Sequence, residues 1–214
     1  MKTTIQNPAA PRLTQSLDPW DDAADELVEI DSAIVREADL VSAKRLSVDA
    51  SRLESVSLTG AVFDTLEITD SECNRLESAA VQAHKATMLR VCMTDCRLTG
   101  SEFAEAEFQD CVFRNVKFDD VGFRFVSFKR VRFEGCILRE ADFSNAKFSH
   151  VVMTDCDLEG ANFTSASCKD FDVSAEDLTL VKGLLGLKGA TISETQLMQL
   201  APLLASELGF QVIE

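Results

Sequence analysis

The stretch from Phe103 to Phe133 reads FAEAE FQDCV FRNVK FDDVG FRFVS FKRVR F, with phenylalanine at every fifth residue seven times in succession. Outward from it, Phe63, Phe143, Phe148 and Phe163 keep the same phase, so 11 of the 14 phenylalanines share one position in five. The gaps are filled by Val48, Leu53, Leu58, Ile68, Cys73, Met88, Met93, Leu98, Leu138, Met153, Leu158, Cys168 and Val173, with Ser78 and Ala83 as weak members. Two residues before each centre comes a second restricted site, mostly Ala, Val, Ser or Cys. From Val48 to Val173 there are 26 such centres without a slip. Internal periods of this kind decide a fold before any local propensity does.

A helix needs apolar residues about 3.6 apart and a strand about 2 apart, so neither accounts for a period of five. Two inward positions followed by outward ones turn the chain through a corner at each repeat, and four corners make one coil. Stacked coils then hydrogen-bond along the axis at about 4.8 Å, giving a rod about 31 Å long for these repeats. If four repeats make a coil, outward residues 20 apart must stack. One such row reads Asp70, Arg90, Asp110, Arg130, His150, Asp170, an alternation of sign. Another reads Asp119, Arg139, Glu159, and a corner row carries Gly60, Gly100 and Gly160. Opposite charges on neighbouring rungs stabilise and like charges destabilise. The expected fold is therefore an all-β solenoid with four sides.

These residues resemble the pentapeptide repeat family, whose pattern is a small residue, a polar one, Leu or Phe, then two polar ones. Ala38-Asp39-Leu40, Ala141-Asp142-Phe143-Ser144-Asn145 and Ala161-Asn162-Phe163-Thr164-Ser165 carry the likeness, which covers roughly residues 28–175. It implies a right-handed quadrilateral β-helix and leaves function open, because one fold hosts many.

Residues 1–27 read as a flexible arm and N-terminal cap, with Pro8 and Pro11 in the arm and Asp18-Pro19-Trp20-Asp21-Asp22 starting a capping turn. The β-helix is expected over 28–173. Val28/Ile30, Ala33/Val35 and Ala38/Leu40 form three repeats in another phase, and the eight residues from Leu40 to Val48 suggest a three-residue insertion near 41–45. Residues 174–214 read as a helical cap. Ser174 with Asp177 and Ser193 with Gln196 have the spacing of capping boxes. Leu197, Leu200, Leu203, Leu204 and Leu208 form an apolar stripe that Pro202 should kink or split. Gly209 suits its C-cap, and Phe210, Val212 and Ile213 make a short apolar tail. A solenoid must cover its open end. The stripe reads either as that lid or as a homodimer contact, with Leu197, Leu200, Leu203 and Leu204 as candidates. Lys188–Phe210 resembles the C-terminal module of the mycobacterial fluoroquinolone-resistance member of the family, which implies dimerisation.

The chemistry-bearing residues are sparse. His84 and His150 are both outward, and no phosphate loop, zinc-helix motif or nucleophile elbow occurs. Cys96, Cys111, Cys136 and Cys156 fall in the small inward slot and read as core. No catalytic residue, cofactor or metal is expected, and a convex prism offers no pocket to desolvate its carboxylates. Seven free thiols and a start without an apolar leader read as cytoplasmic. A net charge of −15 disfavours nucleic acid and membrane surfaces as partners.

What remains is binding to another protein, as a scaffold. Arg124, Phe125, Lys129, Arg130 and Arg132 place cations around an outward Phe, which has hot-spot composition. The alternative, implied by the resemblance, is a mimic of duplex DNA that inhibits or protects DNA gyrase or a related type II topoisomerase. That role needs a continuous negative lane, and acids and bases are mixed on every outward face, so the rod has no obvious one.

Overall fold

The computed structural model describes residues 5–14, 16–19, 26–41 and 43–211. The chain winds into a right-handed four-sided β-helix of about seven turns, closed at its C-terminal end by one short helix. The strand pairs among the described residues are parallel, and from Arg45 to Lys182 the register is 20 residues. Glu107 pairs with Ser127, Ser127 with Lys147 and Lys147 with Ser167. The corners fall on every fifth residue in the left-handed region: φ is 47° at Asp70, 57° at Asp110 and 55° at His150. That conformation costs an L-residue about 1–2 kcal/mol. It recurs here because each corner sits between sides whose backbone is bonded to the coils above and below.

The centres point inward and stack in columns one coil apart. Phe108, Phe128, Phe148 and Phe171 form one column, with successive ring centroids 5.3, 5.3 and 4.5 Å apart and planes within 14° of parallel. Phe103, Phe123, Phe143 and Phe163 form another, at 5.9, 5.3 and 5.1 Å. Around one coil the rings meet edge to face, as Phe113 does with Phe118 at 5.4 Å, so both favourable aromatic geometries are used. Phe171 stands in the small slot, beside the undersized centre Cys168, and is fully buried.

The small slot also carries a hydrogen-bonding duty. Ser71 Oγ accepts the amide of Ser51 one coil below (3.1 Å), Ser101 Oγ that of Val81 (3.1 Å) and Cys96 Sγ that of Leu76 (3.4 Å). The same groups donate to carbonyls, Ser71 to Thr69 and Cys96 to Thr94. Ser and Cys recur there because they fill a narrow slot and pair an amide that would otherwise be buried unpaired.

Three details depart from the sequence reading, and some of its residues lie outside the described ones. The irregularity near 41–45 is a shortened side, not an insertion. Val28 pairs with Leu46 and Ile30 with Val48, an offset of 18, and the buried Ala43 alone serves the fourth side. Ser174 and Asp177 do not open a helix. The repeat continues, with Leu178 buried as a further centre and Lys182 donating to Ala161. Asp177 instead accepts from both the amide and hydroxyl of Thr179, organising a turn. The helix (α1, Glu194–Glu207) runs unbroken through Pro202. Pro202 and Met198, whose carbonyl loses its intrahelical bond, are both exposed, where that loss is tolerated. Finally, Trp20–Asp22, Val212 and Ile213 lie outside the described residues.

The lid inherits the coil's period. Glu176 occupies the small slot and its Oε2 accepts the amide of Cys156 (2.8 Å), as Ser71 does for Ser51. Twenty residues on, the buried Gln196 takes the next rung, donating to the carbonyls of Val173 and Glu176, each at 2.7 Å. Ser193 and Gln196 form the capping box that starts α1. Glu207, in its last turn, accepts the amides of Leu184 and Leu185 in the 3-10 turn Leu184–Leu187.

Phe113→Ala should lower the unfolding free energy by about 3–5 kcal/mol in denaturant titrations, because a rigid stack cannot collapse onto the hole. Between Phe63 and Phe103 the centres include Cys73, Ser78, Ala83, Met88 and Met93, and a void of about 10 Å³ lies among Ser78, Met88, Met93 and their neighbours. Ser78 Oγ has no hydrogen-bond partner among the described residues. Amides of these coils should exchange faster than those of the Phe-rich coils in native-state hydrogen exchange; uniform protection would contradict this account. Burial raises the carboxyl pKa of Glu176 against the opposing bond from Cys156. A raised folded-state pKa gives stability that is complete below the unfolded value and lost as pH rises through the folded one. Glu176→Gln should therefore raise the melting temperature relative to the parent by a margin that opens near the unfolded carboxyl value of about 4.3 and widens as pH rises.

Candidate interaction surfaces

His84 is exposed and distant in the repeat from His150, which lies 3.4 Å from Asp170 within the charge ladder. No group of three or more His, Cys, Asp or Glu converges to hold a metal among the described residues. All seven cysteines are unpaired. Burial pushes the Cys111 thiol up to about 12 and that of Cys96 up to about 11, so neither forms a nucleophilic thiolate. Cys92 is half-buried, with Arg114 Nη1 3.2 Å from its sulfur.

The outward Phe125 is 58% exposed and sits on a corner with φ 60°. Other corners carry small, polar or charged residues, and this one presents a large apolar ring in a conformation such side chains rarely adopt. Its cationic surroundings are largely neutralised. Arg124 pairs with Glu102 (3.2 Å) and Arg132 with Glu134 (2.9 Å). Arg130 donates from Nε and Nη2 to the two oxygens of Asp110, both at 2.6 Å. Lys129 is exposed. Phe125 thus stands as an exposed aromatic among charge pairs, because each arginine finds an acid one coil away or on its own strand.

The ladder forms as the 20-residue register requires. Arg90 donates from Nε and Nη2 to both oxygens of Asp70 at 2.5 Å. The Arg90 guanidinium holds the Asp70 carboxyl below its ordinary value despite partial burial, and the amide of Arg12 adds to this. At Asp110 burial works upward, but Arg130 and the amide of Ala9 outweigh it and the carboxyl is likewise low. Those two amides belong to the N-terminal arm, which lies along this corner. Charge alternation revealed the ladder in the sequence; the arm's place on it needed the folded chain.

The C-terminal leucine stripe divides. Leu200 is 3% exposed and Leu204 is half-buried, so these two seal the last coil. Leu197 and Leu203 face outward. With Leu178, Leu184, Leu185, Leu187 and Leu208, the inner pair lines an apolar groove of about 510 Å³ between the 3-10 turn and α1. Leu185 and Leu208 on its rim are more than half exposed. The sequence could not separate lid from rim, because which flank of a stripe is covered depends on how α1 lies across the coil. Gly186 is fixed by that closure: a Cβ there would run into the carbonyl oxygen of Phe163.

No curated protein matches the chain in sequence. Among solved structures, trypsin-treated QnrB1, a plasmid-mediated fluoroquinolone resistance protein, is similar over 87% of this chain and 100% of its own, at 15% identity and a TM-score of 0.42. HetL, a pentapeptide repeat protein involved in heterocyst differentiation regulation from the cyanobacterium Nostoc sp. strain PCC 7120, is similar over 78% of this chain and 90% of its own, at 14% identity and a TM-score of 0.23. At such identities and scores the likeness carries no argument about function. The family description "pentapeptide repeat region" matches residues 86–163 and 126–182. Its second match ends where the last five-residue rung pairs, Lys182 with Asn162. The same winding extends from that region back to the first coil, and residues 86–182 carry the repeat of the pentapeptide repeat family.

Proposed function

We propose that this chain is a non-enzymatic, cytosolic protein-binding scaffold, with Phe125 as an anchor for its partner. The observation that carries the reading is the exposed ring at a left-handed corner on a rod whose neighbouring charges are paired. A bulky residue in that conformation is strained, and strain retained on a surface points to use in recognition. Aromatic and arginine side chains at such a place suit a desolvated contact. The apolar rim at the C-terminal end, with Leu185, Leu197, Leu203 and Leu208 outward, fits a second copy of the chain and extends the same reading to a homodimer.

A duplex-DNA mimic acting on gyrase or a related type II topoisomerase is the second reading, supported by the net charge of −15. Against it, Asp70, Asp110 and Glu102 are each answered by an arginine. Partner capture from cell extract with the parent chain and Phe125→Ser in parallel tests the first reading. The expected result is loss of the captured protein with an unchanged melting temperature. Capture that survives the substitution overturns the role of Phe125, and salt-sensitive inhibition of gyrase supercoiling by both chains would put the second reading in its place.

A further inference from the structure

The N-terminal arm meets the ladder in a fixed register. Pro8 and Pro11 hold their φ near −65°, which favours the polyproline II conformation, with three residues per turn and about 3.1 Å rise per residue. Residues three apart then share a face and lie about 9.3 Å apart. Asp70 and Asp110 are two coils apart on one corner, a separation of about 9.6 Å. The arm uses this match. The amide of Ala9 donates to Asp110 Oδ1 at 3.1 Å and that of Arg12 to Asp70 Oδ1 at 3.0 Å. Each donor is the residue after a proline, so a Pro-x-x-Pro spacing sets both amides on the rungs. Ile5, Pro8 and Pro11, also three apart, are half-buried, while Gln6, Asn7, Ala9 and Ala10 are exposed. Arg132 Nη1 adds a bond to Asn7 Oδ1 at 3.0 Å.

The acceptors are built in advance of any ligand. Arg90 and Arg130 each grip both oxygens of their aspartate, so the carboxylates are held in orientation and still accept an amide. Both contacts of the arm to the corner aspartates are made by its backbone amides, so those rungs read spacing and conformation rather than side chains.

We propose that the corner carrying Asp70, Arg90, Asp110 and Arg130 is a docking strip for extended Pro-x-x-Pro segments, and that residues 5–12 are its tethered occupant, displaced by such a segment of a partner protein. Only a few residues separate Arg12 from Asp18, which pairs with Ala33 on the first coil, so the arm is present at an effective concentration of about millimolar. A free peptide competes poorly against that tether; a partner anchored elsewhere on the rod competes well. The strip does not use Phe125, so it stands or falls separately from the scaffold reading.

The test uses the full chain, a Pro8→Gly/Pro11→Gly variant, and a synthetic peptide with the sequence of Ile5–Thr14 as probe. In the parent, the amides of Ala9 and Arg12 should be protected from hydrogen exchange. In the variant that protection should be lost with no change in melting temperature, and the peptide should bind at least tenfold more tightly than to the parent. Adding Asp70→Ala and Asp110→Ala to the variant, which removes the accepting oxygens, should abolish peptide binding while the amides of the Phe-rich coils stay protected. Unprotected amides at Ala9 and Arg12 in the parent would overturn the proposal. So would equal peptide binding to parent and variant, no binding to either at millimolar peptide, or binding that survives the aspartate substitutions.

Discussion

The rise from one coil to the next, about 4.8 Å, is the distance at which parallel backbones hydrogen-bond, and it is also close to the stacking distance of aromatic rings. A chain that returns to the same side after 20 residues satisfies both at once. That coincidence explains why Phe can fill column after column here, with Phe108 over Phe128 over Phe148 at 5.3 Å per step. It also explains why substitutions in the column tend toward Leu, Met or Cys rather than polar groups: a rung that fills less of the interior still has its backbone bonds, as the coil around Ser78 shows.

The same rise orders the outside. A carboxylate and a guanidinium one coil apart are within bidentate reach, so Arg90 and Arg130 neutralise Asp70 and Asp110 along one edge. The consequence for function is that net charge is a poor guide to what the surface offers. A chain of −15 presents stretches of paired charge, and its distinguishing surface features are apolar or geometric: the ring of Phe125, the groove under α1 and the rung spacing that the arm occupies.

Both ends solve the problem of an open coil by imitation. Gln196 stands where the next rung's small residue would stand, and it satisfies two carbonyls that a further coil would have paired. Glu176, one rung earlier, reaches down to Cys156 in the manner of a serine but with a buried carboxylate. At the other end the first coil is two residues short of the 20 used elsewhere, and Asp18–Pro19 adds a strand edge against Ala33–Ile34.

The sequence by itself determined the period, the four-sided winding and the charge rows, because each depends only on residues repeating at 5 and 20 along the chain. It also contained the capping box of α1, a local pattern within four residues. What it could not show depends on where non-repeating segments come to rest. Ser174 and Asp177 have capping-box spacing and outward-position spacing alike, and only the pairing of Lys182 with Asn162 decides between them. Leu200 and Leu197 are equivalent as members of a stripe until the helix is laid on the coil and one of them is covered. The arm's seat on Asp70 and Asp110 joins residues 58 and 101 positions apart. Such a contact leaves no periodic trace, since it arises from the match between one extended segment and the rise of the assembled rod.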